Sequence, residues 1–67
     1  MNSKEPIGLT QRESMILKLV AKGCSNKQIA GSLFISTDTV KNHLKNVYRK
    51  LGASNRIEAL RKAEMIL

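Results

Sequence analysis

The sequence predicts an all-α fold, one small domain of four short helices, and three observations predict it. Apolar residues recur at spacings of three and four in four segments, a Ser, Thr or Asn stands where each segment opens, and no stretch alternates with the period of a half-buried strand. Sixty-seven residues leave room for one small core and no deep pocket beside it. A core of that size needs a disulfide, a metal, regular helix packing or a partner subunit. The single cysteine, Cys24, excludes an intrachain disulfide, and Cys24 and the lone His43 lack the companions of a zinc site. Helix packing and self-association remain, with no metal or other cofactor expected.

Residues 1–8, MNSKEPIG, contain Pro6 and Gly8 and read as a flexible leader or a linker remnant; residues 9–67 form the domain. The first helix is expected over 10–22. Thr10 caps it, Glu13 three residues on completes a capping box, and Gly23 stops it. Ile16, Leu17 and Val20 mark its buried stripe, with Met15 and Leu19 on the shoulders. The second helix, 26–33, opens at Ser25 with Gln28 repeating the box, and turns Ile29, Ala30 and Leu33 inward. Gly31 inside it costs about 1 kcal/mol relative to alanine, so close packing or a nearby backbone is expected there. Phe34 and Ile35 are expected to fill the following turn and bury its underside, with an exposed Phe34 as the alternative.

The third helix, 37–51, is capped by Ser36, carries Asp38 in its first turn where the helix dipole favours an anion, and ends at Gly52. Val40, Leu44, Val47 and Leu51 recur at i, i+4, i+7 and i+11 and form its core edge. The fourth helix, 56–66, starts at Asn55 with Glu58 in box position. Its apolar side is Ile57, Leu60 and Ala63, followed by Ile66 and Leu67.

Twelve Lys and Arg against five Asp and Glu give a formal charge of +7. More than half of that net charge sits in residues 25–52, where Lys27, Lys41, Lys45, Arg49 and Lys50 face Asp38 alone. Such a surface attracts a polyanion by releasing its counterions. Opposite its core edge, the third helix presents Thr39, Lys41, Asn42, Lys45, Asn46 and Arg49. Side chains three or four apart lie together on a helix, so Lys41, Asn42, Lys45 and Asn46 make one patch. Lysine donates to the N7 and O6 acceptors of guanine, and an asparagine amide pairs with the N6 and N7 edge of adenine. Asn26, Lys27 and Thr39, near helix N-termini, suit phosphate oxygens. Charge alone does not distinguish this face from an ordinary solvated helix surface.

The runs LTQRE at 9–13, SNKQIA at 25–30, LFIS at 33–36, TVKNHLKNVYRKLG at 39–52 and NRIEAL at 55–60 closely resemble the LuxR-type, FixJ- or GerE-like, DNA-binding domain over about residues 9–67. The resemblance implies a bacterial transcription regulator in the cytoplasm, on the nucleoid when bound to double-stranded DNA. Its second and third helices would form a helix-turn-helix, and its fourth would join two copies. Carried over by position, it implies base contacts from Lys41, Asn42 and Lys45, with position 42, which varies among members, setting this chain's own preference. It places backbone contacts at Ser25, Asn26, Lys27, Thr39, His43 and Lys50, with Arg49 as a flanking cation. Ile57, Leu60, Arg61 and Glu64 are the residues expected to meet a second copy. RNA polymerase is a further candidate partner.

Other classes fit the residues less well. Five scattered acids, one His and one Cys offer no nucleophile and base, no carboxylate pair and no metal cluster, so an enzyme is not expected. Single-strand RNA readers stack bases on aromatic rings, and Phe34 and Tyr48 are the only two rings here. No segment is long and apolar enough for a membrane span, so a soluble intracellular protein with no membrane partner is expected. The alternative is a basic helical protein-interaction module that binds an acidic partner.

Overall fold

Capping chemistry sets where each helix begins. A computed structural model describes residues 8–66, in which α1 (Gln11–Ala21), α2 (Asn26–Leu33), α3 (Thr37–Leu51) and α4 (Arg56–Ile66) follow one another. Except for Gly8, the leader expected over 1–8 lies outside the described residues, as do Leu67 and the side chain of Ile66.

Thr10 and Glu13 form a reciprocal box at the start of α1: the Glu13 N–H donates to Thr10 Oγ1 at 3.1 Å, and the Thr10 N–H donates to Glu13 Oε1 at 3.0 Å. Ser25 and Gln28 repeat it at α2, at 3.1 and 2.8 Å. Each box satisfies two backbone groups at a helix start. Helix α1 stops because Gly23, at φ +91°, reverses the chain while the Gly23 and Cys24 N–H groups donate back to Val20 O and Leu19 O at 2.9 and 3.0 Å. Ser36 Oγ accepts the Thr39 N–H at 3.1 Å to open α3, and Gly52, at φ +71°, closes it.

The start of α4 departs from expectation by one residue. The Glu58 N–H donates to Asn55 Oδ1 at 2.9 Å, but the Glu58 carboxylate reaches past Asn55 to the N–H and hydroxyl of Ser54, at 2.6 and 2.8 Å. Two donors on Ser54 outcompete the single N–H that a capping box offers.

The core has two halves, and α1 and α3 contribute to both. Leu17, Val47 and Leu51 meet Ala59 and Ala63 of α4 around the inserted side chain of Leu9. Ile16, Val20, Val40 and Leu44 meet Ile29 and Ala30 of α2. Tyr48 packs against both halves. The expected edge of α3, Val40, Leu44, Val47 and Leu51, is buried throughout, as are Ile16, Leu17 and Val20 of α1. Burying a side chain of this kind contributes about 1.5–3 kcal/mol, which holds α3 in place by one edge and leaves its other edge outward.

Three expectations are corrected. Phe34 does not bury the turn: it is 94% exposed. It occupies the left-handed region at φ 59°, ψ 43°, while the next residue, Ile35, donates its N–H to Ala30 O at 3.0 Å and packs back on the core. In this kind of helix end the residue after the left-handed one turns inward, so the aromatic ring is left outside. Gly31 lacks the close packing expected of it, since a Cβ built there meets nothing within 4 Å. On α4, Ala59 joins Ala63 as fully buried, whereas Ile57 is 65% exposed and Leu60 half-buried.

Candidate nucleic-acid interface

The outward edge of α3 is built by what its inward edge does. With Val40, Leu44 and Val47 locked into the core, Lys41, Asn42, Lys45 and Arg49 are exposed, and the intervening Asn46 is half-buried. Lys41 to Lys45, Asn42 to Asn46 and Lys45 to Arg49 are each one helical turn apart, so these side chains form a continuous strip. Among the described residues none of the Lys41, Asn42, Lys45 and Arg49 side chains makes a salt bridge, the one such bridge lying between Lys50 and Glu13. Fifteen residues give α3 a length of about 22 Å at 1.5 Å per residue.

Ser36 and Thr39 shape the entry to this strip. Their hydroxyl oxygens lie 2.9 Å apart, and the half-buried Thr39 is thereby tied to the cap of α3. His43 is half-buried beside Leu44 in sequence. At the start of α2, Lys27 is exposed, whereas the Ser25 hydroxyl is engaged with the Gln28 N–H. Asn26 is half-buried, and its Oδ1 accepts from Arg56 Nη1 at 3.2 Å. Arg56 Nη2 donates to the Cys24 carbonyl. The structure therefore groups Ser25, Asn26 and Lys27 at one helix start with Arg56, a residue that sequence reasoning left unassigned. Its partners lie 30 and 32 residues away in the chain, beyond the reach of any spacing rule.

Lys50 is placed differently from the phosphate contact expected of it. Its Nζ donates to Glu13 Oε1 at 2.7 Å and to the Gly8 carbonyl at 3.2 Å, which engages two of its three donors within the chain. Glu13 is only 4% exposed, and a buried carboxylate requires such a partner. Burial alone would raise the Glu13 pKa. The Lys50 hydrogen bond, the Thr10 N–H, the Lys50 charge and the Thr10 hydroxyl outweigh it and hold the pKa below its ordinary value.

The residues expected to meet a second copy divide. Ile57, Arg61 and Glu64 are exposed and share one face of α4 at i, i+4 and i+7, while the half-buried Leu60 packs against the core half that contains Ile29 and Leu44. No helix among the described residues is long and apolar enough to cross a membrane.

Comparison with known proteins places this geometry in a family. The model of the bacterial regulatory proteins, luxR family, matches residues 8–63. The HTH-type transcriptional regulator MalT of Serratia proteamaculans (strain 568) is 48% identical over 59 residues, which is 88% of this chain and 6% of that protein. A solved structure, the crystal structure of response regulator ChrA in a heme-sensing two component system, is similar at a TM-score of 0.83 and 43% identity, covering 98% of this chain and 34% of that one. The chain thus spans a minor part of both relatives.

Proposed function

The chain belongs to the luxR family of bacterial regulatory proteins, and from that premise we propose that it regulates transcription by binding a duplex sequence with α3 in the major groove. The observation that carries the reading is the strip of Lys41, Asn42, Lys45 and Arg49, exposed and, among the described residues, without salt-bridge partners on a helix whose opposite edge is buried. A major groove about 12 Å wide admits one such helix.

In this reading Lys41, Asn42 and Lys45 meet base edges, and Asn42 sets the preference between adenine and other bases. Ser25, Asn26, Lys27, Thr39, His43 and Arg49 hold phosphates and orient the domain without reading sequence. The Asn26 and Lys27 N–H groups precede the first backbone bond of α2, Ile29 N–H to Ser25 O at 2.9 Å, and so are available to a phosphate oxygen. Lys50 contributes its remaining donor, in competition with Glu13 and Gly8.

Two copies meeting through the exposed Ile57, Arg61 and Glu64 of α4 would set two α3 helices roughly 34 Å apart and read an inverted repeat. Contact with RNA polymerase would follow once the protein is bound.

Selection of bound duplexes from a random pool tests the reading, with fluorescence anisotropy of the winner and a scrambled control across salt concentrations. An inverted repeat bound about 10³-fold or more tightly than the control is the expected result. Equal, steeply salt-dependent binding to both duplexes would overturn it.

A further inference from the structure

We infer that Arg56 is a positioning residue for duplex binding, setting the Asn26 amide from the first turn of α4 so that the start of α2 offers only donors to a phosphate. The inference rests on the proposed phosphate contact of Asn26.

A guanidinium carries five N–H donors and no acceptor. Because Arg56 Nη1 lies 3.2 Å from the Asn26 side chain, the amide must turn its oxygen toward Arg56. Its NH₂ group, with two donors, then occupies the other edge of the amide. An unrestrained amide presents oxygen as readily as nitrogen, and an oxygen facing a phosphate is repelled. The same guanidinium covers the Cys24 carbonyl through Nη2, which removes a second acceptor from the loop before Ser25.

The arrangement keeps its charge. Both atoms that receive Arg56 belong to neutral groups, and the one salt bridge among the described residues is elsewhere, between Lys50 and Glu13. A half-buried cation held by neutral oxygens adds its full positive charge to the edge that already carries the exposed Lys27. Arg56 also belongs to the helix proposed to join two copies, so one residue fixes the start of α2 to α4.

A double-mutant cycle on the full chain tests this, with anisotropy of the selected duplex as the readout. Arg56→Lys keeps the charge and loses the planar fork. Asn26→Ala alone is expected to weaken binding about ten-fold, the size of a hydrogen bond to a charged group. Arg56→Lys is expected to weaken it about five-fold in the wild-type background and less than about two-fold in the Asn26→Ala background, with an unchanged salt slope. Asn26→Asp supplies a readout that a merely structural role would not move. It pairs with Arg56 as an ion pair and is expected to raise the melting temperature while lowering duplex affinity. Arg56→Lys binding as tightly as wild type, or losing equally in both backgrounds, would overturn the inference. So would Asn26→Asp gaining affinity along with stability. Lys45→Ala serves as the control: if it weakens binding and Asn26→Ala does not, the positioning role fails and the α3 reading stands. If neither weakens binding, both fail.

Discussion

Lys50 and Glu13 join the C-terminal part of α3 to the first turn of α1 at 2.7 Å, and the same Lys50 ammonium holds the Gly8 carbonyl. One cation therefore fixes the point at which the chain enters the domain, next to the buried Leu9, against the helix that carries the candidate base contacts. The Glu13 pKa is lowered in the folded state, so the stabilisation is fully present above its ordinary value, about 4.3, and is lost as pH falls through the folded-state value. Glu58, lowered by the Ser54 N–H and hydroxyl against a small opposing effect of burial, with the Lys62 and Arg61 charges adding, acts in the same direction. Glu13→Gln is expected to cost about 1–3 kcal/mol at pH 7 and to flatten the decline in stability below about pH 4. Urea unfolding at pH 7 and pH 3 measures both. An equal loss at the two pH values would show that the charge of Glu13 contributes nothing.

Gly31 should be replaceable at a profit in stability. A Cβ there meets open space, and its φ lies outside the positive region, so Gly31→Ala is expected to stabilise the domain by about 0.5–1 kcal/mol through the helix interior and the unfolded chain. That corresponds to a rise of about 2–8 °C in Tm for a domain of this size. Gly52→Ala, at φ +71°, is expected to lower Tm. Thermal melts of the two variants side by side check the pair.

Most of the fold was legible because it follows from local chemistry. The Thr10–Glu13 and Ser25–Gln28 boxes, the Ser36 cap, and the edge of Val40, Leu44, Val47 and Leu51 involve residues within a few positions of each other, which spacing rules describe directly. The strip of Lys41, Asn42, Lys45 and Arg49 was legible for the same reason, being the complement of that edge. What spacing did not show was tertiary. Nothing local reveals that Glu13, 37 residues away, draws on the Lys50 ammonium, so the internal role of Lys50 lies beyond the sequence, while a phosphate contact through its remaining donor stays a proposal. Arg56 was passed over because its acceptors belong to another helix start. Leu9 and Ala59 were missed as core because one precedes the first helix and the other is small. For Phe34 the exposed alternative holds: hydrophobicity favours burial, whereas its position in the helix end dictates the direction of the side chain.

Phe34 in the left-handed region costs about 1–2 kcal/mol, and at 94% exposed it recovers little of that by packing against the described residues. Asparagine visits this region more readily, so Phe34→Asn is expected to raise stability by about 0.5–1 kcal/mol, with the turn unchanged. Urea midpoints measure it. A lower midpoint would mean that the ring packs in a way its exposure does not reveal.

Lys45 and Lys27 should separate base reading from phosphate grip. Lys45→Ala is expected to weaken binding to the selected duplex by roughly 1–3 kcal/mol and to a scrambled duplex by less. Lys27→Ala is expected to weaken both equally and to lower the salt slope by about one. If Lys45→Ala affected the two duplexes equally, Lys45 would belong with the phosphate contacts.

The outward face of α4 bears on self-association, and the choice of residue decides whether the test is clean. Leu60 packs on the core, so a charge there would disturb folding as well as any interface. Ile57 is 65% exposed and sits one turn from Arg61, so a charge at 57 is accommodated by water in the single copy. Ile57→Glu is therefore expected to leave Tm within about 4 °C of wild type, a surface change of no more than about 0.5 kcal/mol. If two copies meet through this face, the substitution buries a carboxylate at their contact, and binding to an inverted repeat should fall while binding to a single half-site is unchanged. Sedimentation of wild type and Ile57→Glu on the inverted repeat measures the number of copies bound. Two copies of Ile57→Glu bound as tightly as wild type would mean that α4 does not join them, and that any cooperation between half-sites passes through the duplex.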